Sequence, residues 1–325
     1  MSLTPSHKLC IAPMMTYTDR HFRYLLRLIS SRVMLYTEMI TTGALLHGRG
    51  NRQLVFNPLE HPLAMQLAGR EPEALGRCAE MAESAGFDEI NLNAGCPSDR
   101  AQTGGFGACL VADPEQSADS IRAMIRATRL PVSIKLRTGV DGRDSEEYLM
   151  NYIDRVASAG CGIFIIHARK AWLQGLSPRQ NRHIPPLQYE RVYRIKERFP
   201  ELQIVINGGF NDLETIREQY RHVDGVMIGR MICNDPYQLV FADTAIFSKP
   251  AQIRSRHELI QAYIPYMERE LAAGTKFSEL SRHILCLFQG VRGARAYRRY
   301  LSENIHRADC GMAVVSEAVK RVSTG

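Results

Sequence analysis

The segment Glu89-Ile90-Asn91-Leu92-Asn93-Ala94-Gly95-Cys96-Pro97-Ser98-Asp99-Arg100 reads as a strand that ends in a turn. Ile90 and Leu92 fall on one face and Asn91 and Asn93 on the other, the period-two pattern of a strand. Gly95 breaks the pattern, and a single thiol follows just before Pro97. The C-terminal lip of a buried strand, beside amide side chains, is where barrel enzymes carry their chemistry. Taken alone, Cys96 also reads as a small buried hydrophobe, the common fate of a free cysteine. The flanking chain has to separate the two readings.

Short apolar runs recur on both sides of this strand: Leu9–Ala12, Val33–Thr37, Leu63–Leu67, Val132–Leu136, Ile163–His167, Ile204–Asn207 and Gly225–Ile228. Amphipathic stretches separate them, among them Glu71–Ala85, Pro114–Ala127, Ser145–Ala159, Tyr189–Phe199, Asn211–Arg221 and Pro236–Ile246. Eight strands alternating with helices predict an α/β fold, a (β/α)₈ TIM barrel. A doubly wound sheet competes, but no G-x-G-x-x-G follows the first strand. Beyond Phe247-Ser248-Lys249-Pro250 the pattern is purely helical, with long segments expected at Arg256–Ala273 and Phe277–Ser302. Two domains are therefore expected, a catalytic barrel over 1–248 and a small all-helical C-terminal domain over 249–325.

Composition narrows the class. The chain has 325 residues, of which 45% are hydrophobic, enough for a full core. Met1–Lys8 is polar and precedes no long apolar run, so no secretory leader is expected, and no segment has the length of a membrane span. The eight cysteines are scattered with no C-x-x-C pair, as in a cytoplasmic protein with reduced thiols. His283 with Cys286 and His306 with Cys310 have helical ligand spacing, but such pairs arise by chance, and no metal site is expected. Net charge is +7, and residues from 251 onward carry 12 Arg/Lys against 7 Asp/Glu. A basic appendage on a near-neutral body suggests a polyanionic partner.

Strand parity then gathers the polar residues. Gln66 shares a face with Ala64; Asn91 and Asn93 share one on the next strand; Ser133, Lys135 and Arg137 share one on the strand after it. His167 and Asn207 end the sixth and seventh strands. In a closed barrel these faces point inward and their C-terminal ends meet at one mouth. A buried lysine is costly unless paired or bound to an anion. Asn207-Gly208-Gly209 and Ile228-Gly229-Arg230 follow the last two strands, where barrels commonly bind phosphate. With the apolar shelf Ala12-Pro13-Met14-Met15, the set suits a phosphorylated planar cofactor such as a flavin. A flavin barrel acting on a small enoate or pyrimidine, and an aldolase using Lys135 as a Schiff base, share these residues.

Two basic regions point to nucleic acid. Residues Arg169 to His183 hold four Arg/Lys, including Arg179 and Arg182, with the only tryptophan and no acid. Such a loop can contact phosphates and stack a base. In the C-terminal segment, Arg292, Arg295 and Arg299 fall on one expected helical face, with Arg298 turned toward an apolar stripe through Ile284, Leu287, Val291 and Ala294. An RNA-binding protein without catalysis is a further reading.

The segment Asn91–Pro97, with Lys135, His167-Ala168-Arg169, Asn207-Gly208-Gly209 and Gly229-Arg230, resembles the tRNA-dihydrouridine synthases. Gly104-Gly105-Phe106-Gly107-Ala108 and Lys170–Pro178 are similar to the bacterial A-type subfamily, which acts at positions 20 and 20a. The resemblance covers nearly the whole chain. It implies an FMN enzyme that reduces D-loop uridines in tRNA with NADPH as electron donor, and a monomer is expected. Carried over to this sequence, Pro13, Met14 and Met15 would line the flavin and Gln66 would bond its ring. Lys135 and His167 would hold the ring edge and the ribityl or phosphate groups. Asn207, Gly208, Gly209, Gly229 and Arg230 would take the phosphate. Cys96 would be the proton donor, and Asn93, Gly95, Arg179, Arg182, Arg292, Arg295, Arg298 and Arg299 would face the tRNA. An ordinary thiol is largely protonated at pH 7, so a cysteine can act as an acid without activation.

Overall fold

The computed structural model describes residues 6–48, 52–250, 253, 255–306 and 311–322. Among these the chain forms two compact units. The first comprises Met1–Met15, Val33–Phe56 and His61–Ile228; the second comprises Thr16–Arg32, Asn57–Glu60 and Gly229–Gly325.

The first unit is the barrel. Its strands are β1 (Leu9–Ile11), β2 (Leu35–Tyr36), β3 (Ile40–Thr41), β4 (Leu63–Ala68), β5 (Glu89–Ala94), β6 (Val132–Arg137), β7 (Ile163–His167), β8 (Gln203–Asn207) and β9 (Gly225–Ile228). All pair in parallel in the order β1-β9-β8-β7-β6-β5-β4-β2, and β3 also pairs with β4. A parallel bridge between Cys10 and Met34 closes the ring, with Ile11 N donating to Met34 O and Met34 N to Leu9 O, both at 2.9 Å. The second strand expected from sequence is thus a short paired segment, β2, with its neighbour β3 pairing further along β4. The remaining strands lie where the apolar runs put them.

Crossover helices start and stop at recognisable signals. Pro72–Ala85 opens with proline in its first turn and ends at Gly86, whose φ of 92° is left-handed. Pro114–Ala127 is capped by the Asp113 side chain, which accepts from Gln116 N, and Glu146–Ser158 by Ser145, which accepts from Tyr148 N. Leu75, Cys78, Ala79 and Ala82 make the buried stripe of the first of these helices.

Inside the ring, Cys10, Ala12, Met34, Tyr36, Ala64, Ile165, Val205 and Met227 form one apolar cluster. Their parity is that of Gln66, His167 and Asn207 on the same strands, which agrees with the inward face read from sequence.

In the second unit the helix Arg20–Ile29 packs on Arg256–Ala272: the Tyr24 and Tyr266 rings stack at 3.8 Å, and His21 Nδ1 lies 2.8 Å from Tyr266 Oη. Arg23 pairs with buried Glu60 at 2.6 Å, and Asp19 lies 2.9 Å from His283. The long helix expected at Phe277–Ser302 is broken. The structure has a helix Phe277–Ser281, a 3-10 turn Arg282–Ile284 and then a helix Ala294–Asn304. Gly290 and Gly293 lie between them at φ of 80° and 92°, and a Cβ on Gly293 would sit 2.0 Å from Arg321 O. Arg292 therefore precedes the helix Ala294–Asn304 and does not share its face with Arg295 and Arg299. Among the described residues no helix is long and apolar enough to cross a membrane, no group of three His, Cys, Asp or Glu could hold a metal, and the seven cysteines are free. Cys310 lies outside the described residues.

Barrel closure depends on a close approach at Gly225, where an added Cβ would lie 2.0 Å from His7 O. Gly225→Ala is expected to lower unfolding stability by about 1–3 kcal/mol, the cost of overpacking, in chemical denaturation.

Candidate active site

The loop after β5 is built around Cys96. Asn93 Oδ1 accepts from Gly95 N at 3.2 Å and from Cys96 N at 3.0 Å, while Cys96 O accepts from Ala108 N at 2.8 Å. The thiol is half-buried and donates to Ser98 Oγ at 3.3 Å. Ser98 in turn caps the helix Asp99–Thr103 by accepting from Ala101 N. Gly107 closes over the cysteine with φ of 64°, where a Cβ would lie 2.5 Å from Cys96 O. The glycine-rich string Gly104–Ala108 is thus the wall behind the thiol, and no side chain fits at Gly107.

β6 supplies two cations. Arg137 is buried and donates to three backbone carbonyls: Gly95 O at 2.9 Å, Asn181 O at 3.0 Å and Lys170 O at 3.2 Å. Burial first, and the nearby Arg182 and Arg169 charges after it, pull its guanidinium down to about 10, while Cys96 opposes them. Lys135 is partly exposed, yet the protein packed around its ammonium group pushes it down to about 7, with Arg137 adding to the effect and Cys96 opposing it. Neither cation is in an ion pair with a carboxylate among the described residues. Such uncompensated positive charge suits an anionic ligand.

The amides line up beside them. Asn93 Nδ2 donates to Gln66 Oε1 at 2.9 Å and Gln66 Nε2 to Asn91 Oδ1 at 2.8 Å. Pro13 and Met14 are half-buried, with Met14 against the interior cluster, whereas Met15 is exposed. On the far side Gly208 and Gly209 take φ of 123° and 83°. A Cβ on Gly208 would lie 2.8 Å from the His167 ring, so only bare backbone lets the ring pack there. Asn207 spends one amide N–H on Met227 O at 2.7 Å and so braces β9. Gly229 and Arg230 belong to the second unit, where Gly229 caps the helix Arg230–Asn234 and Arg230 is exposed. The glycine cradle, the cations of β6 and the amide edge of the barrel fit a planar group carrying a phosphate.

The basic loop after β7 is folded, not loose. Asn181, fully buried, accepts from Trp172 N and donates to Trp172 O, both within 3 Å, and it also donates to Leu176 O. Lys170 Nζ lies 4.1 Å over the Trp172 ring and 2.8 Å from Asp144, so one face of the indole is already covered. Gln102 Nε2 reaches both Pro97 O (3.1 Å) and Leu173 O (2.8 Å), which ties this loop to the one that carries Cys96. Arg179 and Arg182 are exposed. In the second unit Arg295 and Arg299 are exposed on their helix, Arg292 is exposed before it, and Arg298 donates to Gln289. Ser98, Gln102 and Asn181 were not singled out by sequence reasoning. Of the three, only Ser98 carried a signal, as a helix N-cap directly after the cysteine and proline.

Residues 10–323 match the family described as dihydrouridine synthase. The chain is similar to proteins named tRNA-dihydrouridine(20/20a) synthase. It is 52% identical to that of Shewanella oneidensis, over 97% of this chain and 93% of the relative. It is 50% identical to that of Salmonella typhimurium, over 99% and 97%, and 49% identical to that of Escherichia coli K12, over 98% and 92%. With the match running through the barrel and the helical unit alike, this chain belongs to the dihydrouridine synthase family.

Proposed function

We propose that this protein reduces the C5–C6 double bond of D-loop uridines in tRNA, at the positions 20 and 20a of its relatives' name, with FMN as bound cofactor, NADPH as reductant and the cytoplasm as its compartment. The observation that carries the reading is the half-buried thiol of Cys96 within electrostatic reach of Lys135 and Arg137, neither of them paired to an acid among the described residues. A small neutral substrate would not call for that charge; a polyanion with a reactive base does.

In this reading Lys135 and Gln66 would hold the polar edge of the flavin, Pro13, Met14 and Met15 its apolar face, and His167, Gly208 and Gly209 its phosphate end, with Asn93 facing the tRNA base. When bound, the flavin supplies the hydride for C6 of the uracil. Cys96 Sγ gives the proton to C5. Ser98 Oγ accepts from that thiol, and the Lys135 and Arg137 charges act on the sulfur once its proton has been given up. The target base must leave its stack to reach the barrel mouth, where the exposed Arg179 and Arg182 hold phosphates; Arg295 and Arg299 of the second unit contact tRNA phosphates of their own. The helical unit is accordingly a tRNA-recognition domain.

Cys96→Ala is expected to keep bound flavin and to lose nearly all dihydrouridine formation. Mass spectrometry of D-loop fragments from a strain lacking the protein, complemented with either form, reads this directly, and full restoration by the variant would overturn the assignment.

The unfolded chain holds its lysine protons to higher pH than folded Lys135 does, so Lys135 lowers stability at neutral pH and that cost fades as pH rises from about 7 toward the ordinary value of 10.5. The anionic reduced ring, held at its polar edge by Lys135, would raise that pKa again. Binding of reduced FMN near pH 8 is therefore expected to take up ~1 proton, less toward pH 6, with Lys135→Met abolishing the uptake. Calorimetry in buffers of different ionisation enthalpy measures it.

Arg295→Ala with Arg299→Ala should weaken tRNA binding and flatten the log K against log salt slope by roughly 2, one for each phosphate that the two arginines neutralise. A slope unchanged from the parent would remove these residues from the interface.

A further inference from the structure

Glu89 stands at the opposite end of β5 from the cysteine, fully buried, and the proposed chemistry does not use it. Its Oε1 accepts from Ser133 Oγ at 2.5 Å and from Tyr36 Oη at 3.1 Å, and its Oε2 lies 2.5 Å from His7 Nε2. Burial, and then the Glu89 charge, hold the Tyr36 phenol well above its ordinary value, so it stays a donor. From Ser133 a chain of hydrogen bonds climbs the barrel interior. Asn91 Nδ2 donates to Ser133 Oγ at 2.7 Å, Gln66 Nε2 to Asn91 Oδ1 at 2.8 Å and Asn93 Nδ2 to Gln66 Oε1 at 2.9 Å. Asn93 Oδ1 is then left for the Gly95 and Cys96 N–H groups.

Every donor in this chain points toward the carboxylate. A primary amide can be satisfied with its oxygen and nitrogen exchanged, so three buried amides alone could settle in either sense. The carboxylate at the floor removes that freedom, in the same sense as the Gly95 and Cys96 N–H groups that donate to Asn93 at the mouth. It requires the Ser133 proton, so the Ser133 oxygen must accept from Asn91, Asn91 must accept from Gln66, and Gln66 from Asn93. The Asn93 carbonyl is thereby turned to the Cys96 peptide.

We propose that Glu89 is a positioning residue which, through Ser133, Asn91, Gln66 and Asn93, sets the donor and acceptor sense of the amide edge at the barrel mouth and holds the Cys96 loop. This rests on the reading of Cys96 and the flavin edge given above. The rival account is that Glu89 merely anchors the barrel floor with His7 and Tyr36.

Three variants separate the two accounts. Ser133→Ala cuts the chain while sparing Glu89, Tyr36 and His7; Ser133→Thr restores the hydroxyl; Tyr36→Phe removes a Glu89 bond but leaves the chain intact. Glu89→Gln tests the anion itself, and Ser133→Ala carries the test if that variant does not fold. One readout is the iodoacetamide alkylation rate of Cys96 in flavin-free protein, followed by peptide mass spectrometry. The other is the FMN dissociation constant. Ser133→Ala is expected to speed alkylation and weaken FMN binding about tenfold each, as for one mispaired buried hydrogen bond. Ser133→Thr should return both toward the parent values, and Tyr36→Phe should change neither by more than about twofold. Parent-like values for Ser133→Ala, or equal shifts for Tyr36→Phe, would overturn the proposal. A parent protein that binds no FMN would instead overturn the flavin reading, with the alkylation arm still deciding the role of the chain.

Discussion

A polar side chain inside a closed barrel has no water to turn to, so it must find its partner on a neighbouring strand. β5 alone brings three such side chains inward, Glu89, Asn91 and Asn93, because side chains alternate along a strand. Strand pairing supplies the partners. Gln66 stands opposite Asn91, Asn91 opposite Ser133, and Asn93 opposite Lys135. The hydrogen bonds among them climb from floor to mouth, and the last carbonyl in the ladder takes hold of the loop that carries the cysteine. The thiol's position is therefore a consequence of how the barrel satisfies its own interior.

The mouth follows a second accounting, of charge. Among the described residues Arg137 has no carboxylate partner and instead gathers three carbonyls from three segments: Gly95, Lys170 and Asn181. Gln102 joins two of the same segments, and Asp141 Oδ1 adds Leu173 N at 2.9 Å. The loops after β5, β6 and β7 thus share one polar framework. Carbonyl dipoles orient a guanidinium but leave its net charge uncancelled, so the framework stays electropositive. Rigidity and an unspent positive field come from the same bonds, a combination that holds an anion without rearrangement.

Much of this was legible in the chain itself. Period-two alternation over Leu63–Leu67, Glu89–Asn93 and Val132–Leu136 was enough to turn Gln66, Asn91, Asn93 and Lys135 inward, since in a barrel one face has only one place to go. The C-terminal arginines were less legible. Their spacing was read as one helical face, yet Gly290 and Gly293 interrupt the helix, and what demands Gly293 is the backbone of Arg321, remote in sequence. The packing of Arg20–Ile29 on Arg256–Ala272 was invisible for the same reason: local periodicity states which face is apolar, not what covers it. Likewise nothing near Gln102 announces that it bonds to the backbone of Leu173, far along the chain.

The surroundings of the thiol bear on what kind of chemistry it can do. A nucleophilic cysteine is served by a base within hydrogen-bond reach, usually an imidazole held in turn by a third group. Cys96 has a hydroxyl there instead, and that hydroxyl is already engaged in capping a helix. Behind the sulfur the wall is the bare backbone of Gly107, which offers no group to take a proton. Its electrostatic neighbours are the cations Lys135 and Arg137, charges that favour an anion beside them. Under the proposed function these surroundings suit proton donation to a base, with the ladder proposed from Glu89 holding the loop that carries the donor.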